Sequence, residues 1–313
     1  MYHGMLTIRK EPGWTSSDVV ARLRGILHMK KIGHTGTLDP DAEGVLPVCL
    51  GKATKLCELI ADRDKEYRAV MRLGIVTDTQ DMSGTILQEI PEAQIRELVS
   101  EERLRQAAVR FTGEILQVPP MYSAVKIGGK RLYEIARKGE TIERAARPVT
   151  IYELEIEEIA FPLVTMRIRC SKGTYIRTLC HDLGEFLGTG AAMEHLLRTR
   201  VGSFTLEEAV TLEEAETLMK TDPGKMEQLI RPIDWFFGEA PSCRVHEEAM
   251  KLLDNGNCMK RRMTDLAVQK DGTLVRMYGA DGHFRALYRY DGARDTLNNY
   301  KLFFNGTEYA DHQ

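Results

Sequence analysis

The chain has 313 residues, 43% hydrophobic and 28% charged, with a formal net charge of −3. That length suits one large domain plus one small one, and the composition is that of an ordinary soluble protein. The overall charge speaks against nucleic acid only when read globally, because phosphates respond to a local basic patch.

No apolar run approaches the length of a bilayer span, and Met1-Tyr2-His3-Gly4-Met5 lacks the layout of a secretory signal, so a cytosolic location is expected. Six cysteines (Cys49, Cys57, Cys170, Cys180, Cys243 and Cys258) form no Cys-x-x-Cys pair and have no histidine at zinc-finger spacing. Reduced, buried thiols are expected.

From the N-terminus, Ser16-Ser17-Asp18 offers helix caps, and Val19, Val20, Leu23, Ile26 and Leu27 form a helical stripe. The loop Gly33-His34-Thr35-Gly36-Thr37-Leu38-Asp39-Pro40 precedes an apolar strand over residues 45–50. Tyr67, Ala69, Met71 and Leu73 alternate with Arg68, Val70 and Arg72, which predicts a strand with arginines on one side. Residues 77–84, including Asp78, Asp81 and Ser83, read as turn chemistry, and residues 130–138 as a short helix closed by Gly139. Val164, Met166, Ile168 and Cys170 alternate as a strand, and Ile176, Leu179, Leu183 and Leu187 mark a helix ending at Gly188. Capping-box patterns at Thr205/Glu208 and Thr211/Glu214 announce two helices. Residues 232–241 are a candidate hinge, followed by a helix over 246–254 and alternating segments at 274–278 and 284–290. Strands and helices without a βαβ rhythm favour an α+β fold.

Basic residues cluster twice. Arg9, Lys10, Arg22, Arg24, Lys30 and Lys31 face only Glu11 and Asp18 along the chain, and Lys126, Lys130, Arg131, Arg137, Lys138, Arg144 and Arg147 face three glutamates. Taken alone, such runs are solvated faces.

The loop ending in Asp39-Pro40 is the most suggestive place for chemistry. Proline pushes Asp39 toward extended backbone, Gly36 permits turns that a side chain forbids, and a carboxylate so placed can project into a cleft as nucleophile or base. Asp-Pro also begins many structural turns.

The loop, continued by Ala42, Gly44, Val45 and Leu46, strongly resembles the signature of the bacterial TruB family of tRNA pseudouridine synthases. Three further segments resemble that family in order: Asp64-Lys65-Glu66-Tyr67-Arg68; Pro119-Pro120-Met121-Tyr122-Ser123-Ala124-Val125-Lys126 with Gly129-Lys130-Arg131-Leu132-Tyr133-Glu134; and residues 170–179 from Cys170 to Leu179. The resemblance covers about Lys10 to Gly202. It departs at Lys10-Glu11-Pro12-Gly13, where the family usually has Lys-Pro, and it is loose after Pro241.

The resemblance implies a pseudouridine-synthase fold with a mixed, largely antiparallel sheet flanked by helices. The catalytic domain is expected over residues 1–238, with an RNA-gripping insertion at about 120–148, and a PUA-like RNA-binding β module over 239–313. It implies that Asp39 is the essential carboxylate, that Tyr67 stacks on the target base and could help move a proton, and that Arg177 pairs with Asp39. Tyr175 would line the pocket and His34 would fill the space left by the extruded base. Either Leu196 or Leu197 would add an apolar wall, with Leu196 the candidate; Lys10, Lys126, Lys130 and Arg131 would bind RNA. The implied substrate is uridine 55 of the tRNA T loop. No metal, organic cofactor or obligate protein partner is implied, and a monomer is the default. Lys260-Arg261-Arg262 suits phosphate contact and a solvated turn equally.

Flipping the target from its stack costs a few kcal/mol, and an aromatic face recovers about 1–3 kcal/mol. A closed pocket raises the pKa of a carboxylate, and a neighbouring arginine opposes that shift. Singly, Tyr67 and Tyr175 read as core, Arg177 as a solvated helix residue and His34 as a turn residue; the ordered resemblance carries the functional reading. Two rivals stand beside it: a non-catalytic RNA-binding or tRNA-folding protein on the same scaffold, and a metal-dependent phosphoesterase using His34, Asp39 and Asp41.

Overall fold

Alternation along residues 65–73 places Tyr67, Ala69, Met71 and Leu73 on a buried face, and this strand lies inside the larger of two main sheets. The computed structural model describes residues 1–305; the end of the expected C-terminal module, 306–313, lies outside the described residues. In chain order, β1 (Gly4–Lys10) leads into α1 (Ser16–Ile26), β2 (Ile32–His34), β3 (Glu43–Leu50) and the short α2 (Cys57–Ala61). Next come β4 (Lys65–Leu73), a hairpin of β5 (Ile75–Thr77) and β6 (Ile86–Glu89), the helices α3 (Glu92–Leu98) and α4 (Glu101–Arg110), and β7 (Gly113–Gln117). A small unit of β8 (Lys126–Ile127), β9 (Lys130–Arg131) and α5 (Leu132–Ala136) precedes β10 (Arg147–Ala160), β11 (Leu163–Cys170) and α6 (Ile176–Leu187). β12 (Ala191–Val201), β13 (Phe204–Thr205), α7 (Leu212–Thr221) and α8 (Pro223–Gln228) follow. The remaining elements are β14 (Ser242–Arg244), α9 (Met250–Asp254), β15 (Met259–Lys260), β16 (Leu274–Tyr278), β17 (Phe284–Asp291) and β18 (Thr296–Leu302).

The large sheet runs β1-β3-β12-β4-β11-β10-β7, with β2 on β3 and β13 on β12. Its pairs are antiparallel except β12 with β3, where Leu197 faces Glu43 and Arg198 faces Gly44. The fold is therefore α+β, with a mixed and largely antiparallel sheet, and the second sheet, β14-β16-β17-β18-β15, forms a β module at the C-terminal side. Leu179, Leu183 and Leu187 of α6 and Leu104 and Ala107 of α4 pack on Ala69, Met71, Val164 and Met166 of the sheet. Val19, Val20 and Leu23 of α1 pack with Leu212 and Ala215 of α7 on Leu6, Ile8, Leu46 and Val48. Among the described residues no helix is long and apolar enough to cross a membrane, and all six cysteines are free thiols, but against the expectation of burial Cys57 is only half-buried and Cys258 is exposed.

Four local expectations are corrected. The cap of α1 is Thr15, whose capping box closes on Asp18, while Ser16 turns its hydroxyl to the catalytic-loop candidate. The helix expected over 130–138 is only α5, because Gly128 and Gly129 both take positive φ and turn Lys130-Arg131 back onto Lys126-Ile127 as a hairpin. Thr205/Glu208 starts no helix: Phe204 is buried and its pairing with Val201 holds Thr205 in β13. The candidate hinge is packed rather than free, since Ile233–Phe237 forms a 3-10 turn whose Ile233, Trp235, Phe236 and Phe237 join Phe204, Phe284, Leu287 and Phe303 in one apolar cluster.

Candidate active site

Asp39 lies in the loop between β2 and β3, and the loop is held from several sides. Ser16 Oγ accepts from Leu38 N at 3.0 Å, Pro47 O accepts from Thr35 N at 3.1 Å, and Pro40 O accepts from Gly13 N at 2.9 Å. Lys10, expected to bind RNA, is instead fully buried. Its ammonium donates to the carbonyls of Glu11 at 3.0 Å and Pro40 at 2.9 Å and also to that of Ala42, so here it braces the loop. Burial pulls the Lys10 pKa down to about 8, partly offset by Asp41 and Asp39.

Arg177 reaches Asp39 from the first turn of α6. Its Nη2 donates to Asp39 Oδ1 at 3.0 Å and to the carbonyl of Tyr122 at 2.7 Å, and its Nη1 lies 3.5 Å from Asp81 Oδ2. The Arg177 side chain is 6% exposed and that of Asp39 is 36% exposed, so a buried guanidinium presents a carboxylate at an accessible edge. Burial raises the Asp39 pKa, Arg177 opposes that rise, Asp81 adds to it and Lys10 opposes it.

Asp81 is thus more than turn chemistry. Its Oδ1 takes the turn bonds from Thr79 Oγ1 at 2.7 Å and Ser83 N at 3.1 Å, which frees Oδ2 for Arg177. The same turn is anchored by Gln80, which accepts from Thr178 of α6 at 2.7 Å and bonds Met193 of β12 through its backbone.

Tyr67 sits behind the loop in the cluster that contains Leu38, Ala42 and Leu196. Leu196 faces Ala69 across the β12–β4 ladder and is buried in that cluster, whereas Leu197 projects from the other face. Burial pushes the Tyr67 phenol up to about 12, partly offset by Arg198. His34 is half-buried, its Nδ1 accepts from Gly36 N at 3.4 Å, and burial followed by the Arg198 charge lowers its pKa. Tyr175, half-buried, is the N-cap residue of α6. Its backbone is clamped by Gln117, which accepts from Tyr175 N at 2.8 Å and donates to Tyr175 O at 3.0 Å.

Asp39, Arg177, Tyr67, Leu196 and His34 therefore gather around one loop, while Lys126, Lys130 and Arg131 stand exposed on the β8–β9 hairpin. Arg131 also donates to Tyr133 Oη at 2.9 Å. In the C-terminal cluster, Arg261 is tied to Asp295 Oδ1 at 2.7 Å and Arg262 is exposed. His34, Asp39 and Asp41 do not converge as donors: among the described residues no group of three His, Cys, Asp or Glu side chains could hold a metal ion. Sequence reading missed Gln117, Asp81 and Arg198, because their partners lie 58, 96 and 131 positions away, respectively.

Residues 24–176 match the family described as TruB family pseudouridylate synthase, N-terminal domain, and residues 177–237 match the tRNA pseudouridylate synthase B C-terminal domain. A protein of Alkaliphilus oremlandii named tRNA pseudouridine synthase B is 48% identical over 82% of this chain and 82% of its own. One of the same name from Lachnoclostridium phytofermentans is 45% identical over 96% of this chain and 99% of its own. Among solved structures, a chain of a Cbf5-Nop10-Gar1 complex superposes with a TM-score of 0.71 at 30% identity, covering 98% of this chain and 87% of that one.

Proposed function

The chain belongs to the TruB family of pseudouridine synthases, and we propose that it isomerises uridine 55 of the tRNA T loop with Asp39 as the catalytic carboxylate. It is an isomerase, and its relatives carry tRNA pseudouridylation in their names. The observation that supports Asp39 in this role is the bond from the buried Arg177 guanidinium to the accessible Asp39 carboxylate.

The chemistry is an exchange within one nucleotide. The bond from ribose C1′ to uracil N1 breaks, the base turns, C1′ joins C5, and the proton lost from C5 is balanced by one gained at N1. Asp39 serves as the anion, whether it adds to C6, attacks C1′ or starts an elimination. Arg177 and Lys10 favour that anion electrostatically against the burial of the site. Tyr67 offers its ring to the flipped base, Leu196 an apolar wall, and Tyr175 a second aromatic edge at the start of α6. His34 fills the vacated place in the loop. RNA is gripped by Lys126, Lys130 and Arg131 of an insertion at about 120–148, within a catalytic domain of residues 1–238, and by a PUA-like module that begins near 239. A cytoplasmic monomer acting without metal or organic cofactor completes the proposal.

The test is to incubate the protein with an unmodified tRNA transcript, with no metal or nucleotide added, and to map pseudouridine along it. Product at position 55 is expected. Product at another position overturns the substrate assignment, and no product at any position overturns the isomerase reading of this chain.

A further inference from the structure

Arg198 is 2% exposed and makes no ion pair among the described residues. A guanidinium in that position is costly unless its donors are used. Nε donates to the carbonyl of Val45 at 2.7 Å, yet Nη2 finds no partner among the described residues. Such an orphaned donor calls for an explanation.

The surroundings of this cation are those of the site. Arg198 faces Tyr67 across the β12–β4 ladder, so both side chains stand on the same face of the sheet. On its other edge Arg198 faces Gly44 in the short parallel pairing of β12 with β3. Gly44 is at φ +113°, and a Cβ there would lie 2.2 Å from Arg198 O. A Cβ on Gly36 would lie 3.9 Å from Arg198 Nη1. The loop that carries Asp39 therefore comes close to the Arg198 guanidinium at Gly36, β3 lies against the Arg198 backbone at Gly44 and accepts from its side chain at Val45, and Tyr67 stands beside it on the same face of the sheet.

We propose that Arg198 is a positioning residue of the isomerisation, a buried cation that holds the Tyr67 hydroxyl in register with the Asp39 loop. It touches no substrate; it acts through Tyr67. A guanidinium has donors only, so in any hydrogen bond between the two the phenol oxygen accepts and the phenol proton is left to point toward the cleft. The charge also counters the burial of the phenol. This proposal rests on the isomerase reading above.

The experiment is a double-mutant cycle in the full chain. Wild type, Arg198→Met, Arg198→Lys, Tyr67→Phe and the Arg198→Met/Tyr67→Phe pair are compared for single-turnover conversion of unmodified tRNA, tRNA Kd and Tm. Arg198→Met is expected to slow conversion by about 100-fold with Kd changed by less than about threefold. Arg198→Lys, which keeps a cation, should recover about tenfold of that loss. The paired variant should be no more than about threefold slower than the slower single variant, because both changes remove one shared function.

A merely structural role would lower Tm and the active fraction while leaving the rate per active molecule and the additivity untouched. Folded Arg198→Met turning over within about threefold of wild type overturns the proposal, as do losses that multiply in the paired variant. Should the methionine variant fail to fold, the cycle built on Arg198→Lys decides by the same criterion. A wild type that makes no pseudouridine overturns the isomerase reading and this proposal with it, whereas an active wild type with unaffected Arg198 variants overturns this proposal alone.

Discussion

The Arg177 guanidinium meets the Asp39 carboxylate at 3.0 Å across 138 positions of sequence, and the same guanidinium holds the carbonyl of Tyr122 and the carboxylate of Asp81. One buried cation thus joins three segments: the loop of Asp39, the turn of Asp81 and the stretch at Tyr122 that leads into the β8–β9 hairpin. Removing it would leave two carboxylates close together with no counter-charge between them.

The first prediction concerns pH. Burial and the Asp81 charge raise the Asp39 pKa above its usual 3.8, against Arg177 and Lys10. If the reaction needs the anion, the single-turnover rate falls as pH drops through that raised value. Asp81→Asn removes a like charge, so its acid limb should move to lower pH, while Arg177→Gln should move it higher. A rate–pH profile for each variant checks this, and an Asp81→Asn limb that stays put or moves up contradicts it.

A stability effect follows from the same shift. With its pKa raised on folding, the native protein binds more protons at this group than the unfolded chain does. The stability it contributes is complete below the unfolded pKa and is lost as pH rises through the folded one. At neutral pH the ionised Asp39 is therefore a small cost, reduced by its partial exposure. Asp39→Asn should melt at or above wild type, by up to about 3 °C, and Arg177→Met should melt lower. Thermal melts at pH 7 decide, and a lowered Tm for Asp39→Asn contradicts the account.

Gly44 makes a third. A Cβ at this position meets Arg198 O at 2.2 Å and N at 2.8 Å, both backbone atoms in the centre of the sheet, and φ is +113°. Gly44→Ala should cost about 3–5 kcal/mol in denaturant unfolding. A loss under about 1 kcal/mol would show that β3 and β12 part easily there.

Much of this was legible in the chain itself, for identifiable reasons. The period of two along β4 and β11 and the period near 3.6 along α6 are local signals, and Gly188 ends α6 in the left-handed conformation as its position implies. Thr205/Glu208 misled because a capping pattern competes with strand pairing, and the burial of Phe204 favoured the strand. Asp81 satisfied a turn with one oxygen, and nothing local announces what the other does. Gln117 and Arg198 carry no local pattern, since each is defined by a partner brought in by the sheet or by a helix terminus.

The hairpin basic residues yield a fourth prediction. Lys126, Lys130 and Arg131 are exposed, and cations that contact RNA phosphates release counterions. Replacing each by Ala should weaken tRNA binding and flatten the slope of log Kd against log salt by about 0.7–0.9 per residue that contacts phosphate. Titrations at several salt concentrations measure it; an unchanged slope in the triple variant would place the RNA elsewhere.

The most direct measurement of the central claim is single-turnover conversion of unmodified tRNA by Asp39→Asn, with tRNA Kd measured alongside. The amide keeps the size of the side chain and removes the anion. The account predicts that pseudouridine formation falls by about 10⁴-fold or more while Kd stays within about threefold. Conversion at the wild-type rate by this variant would contradict it.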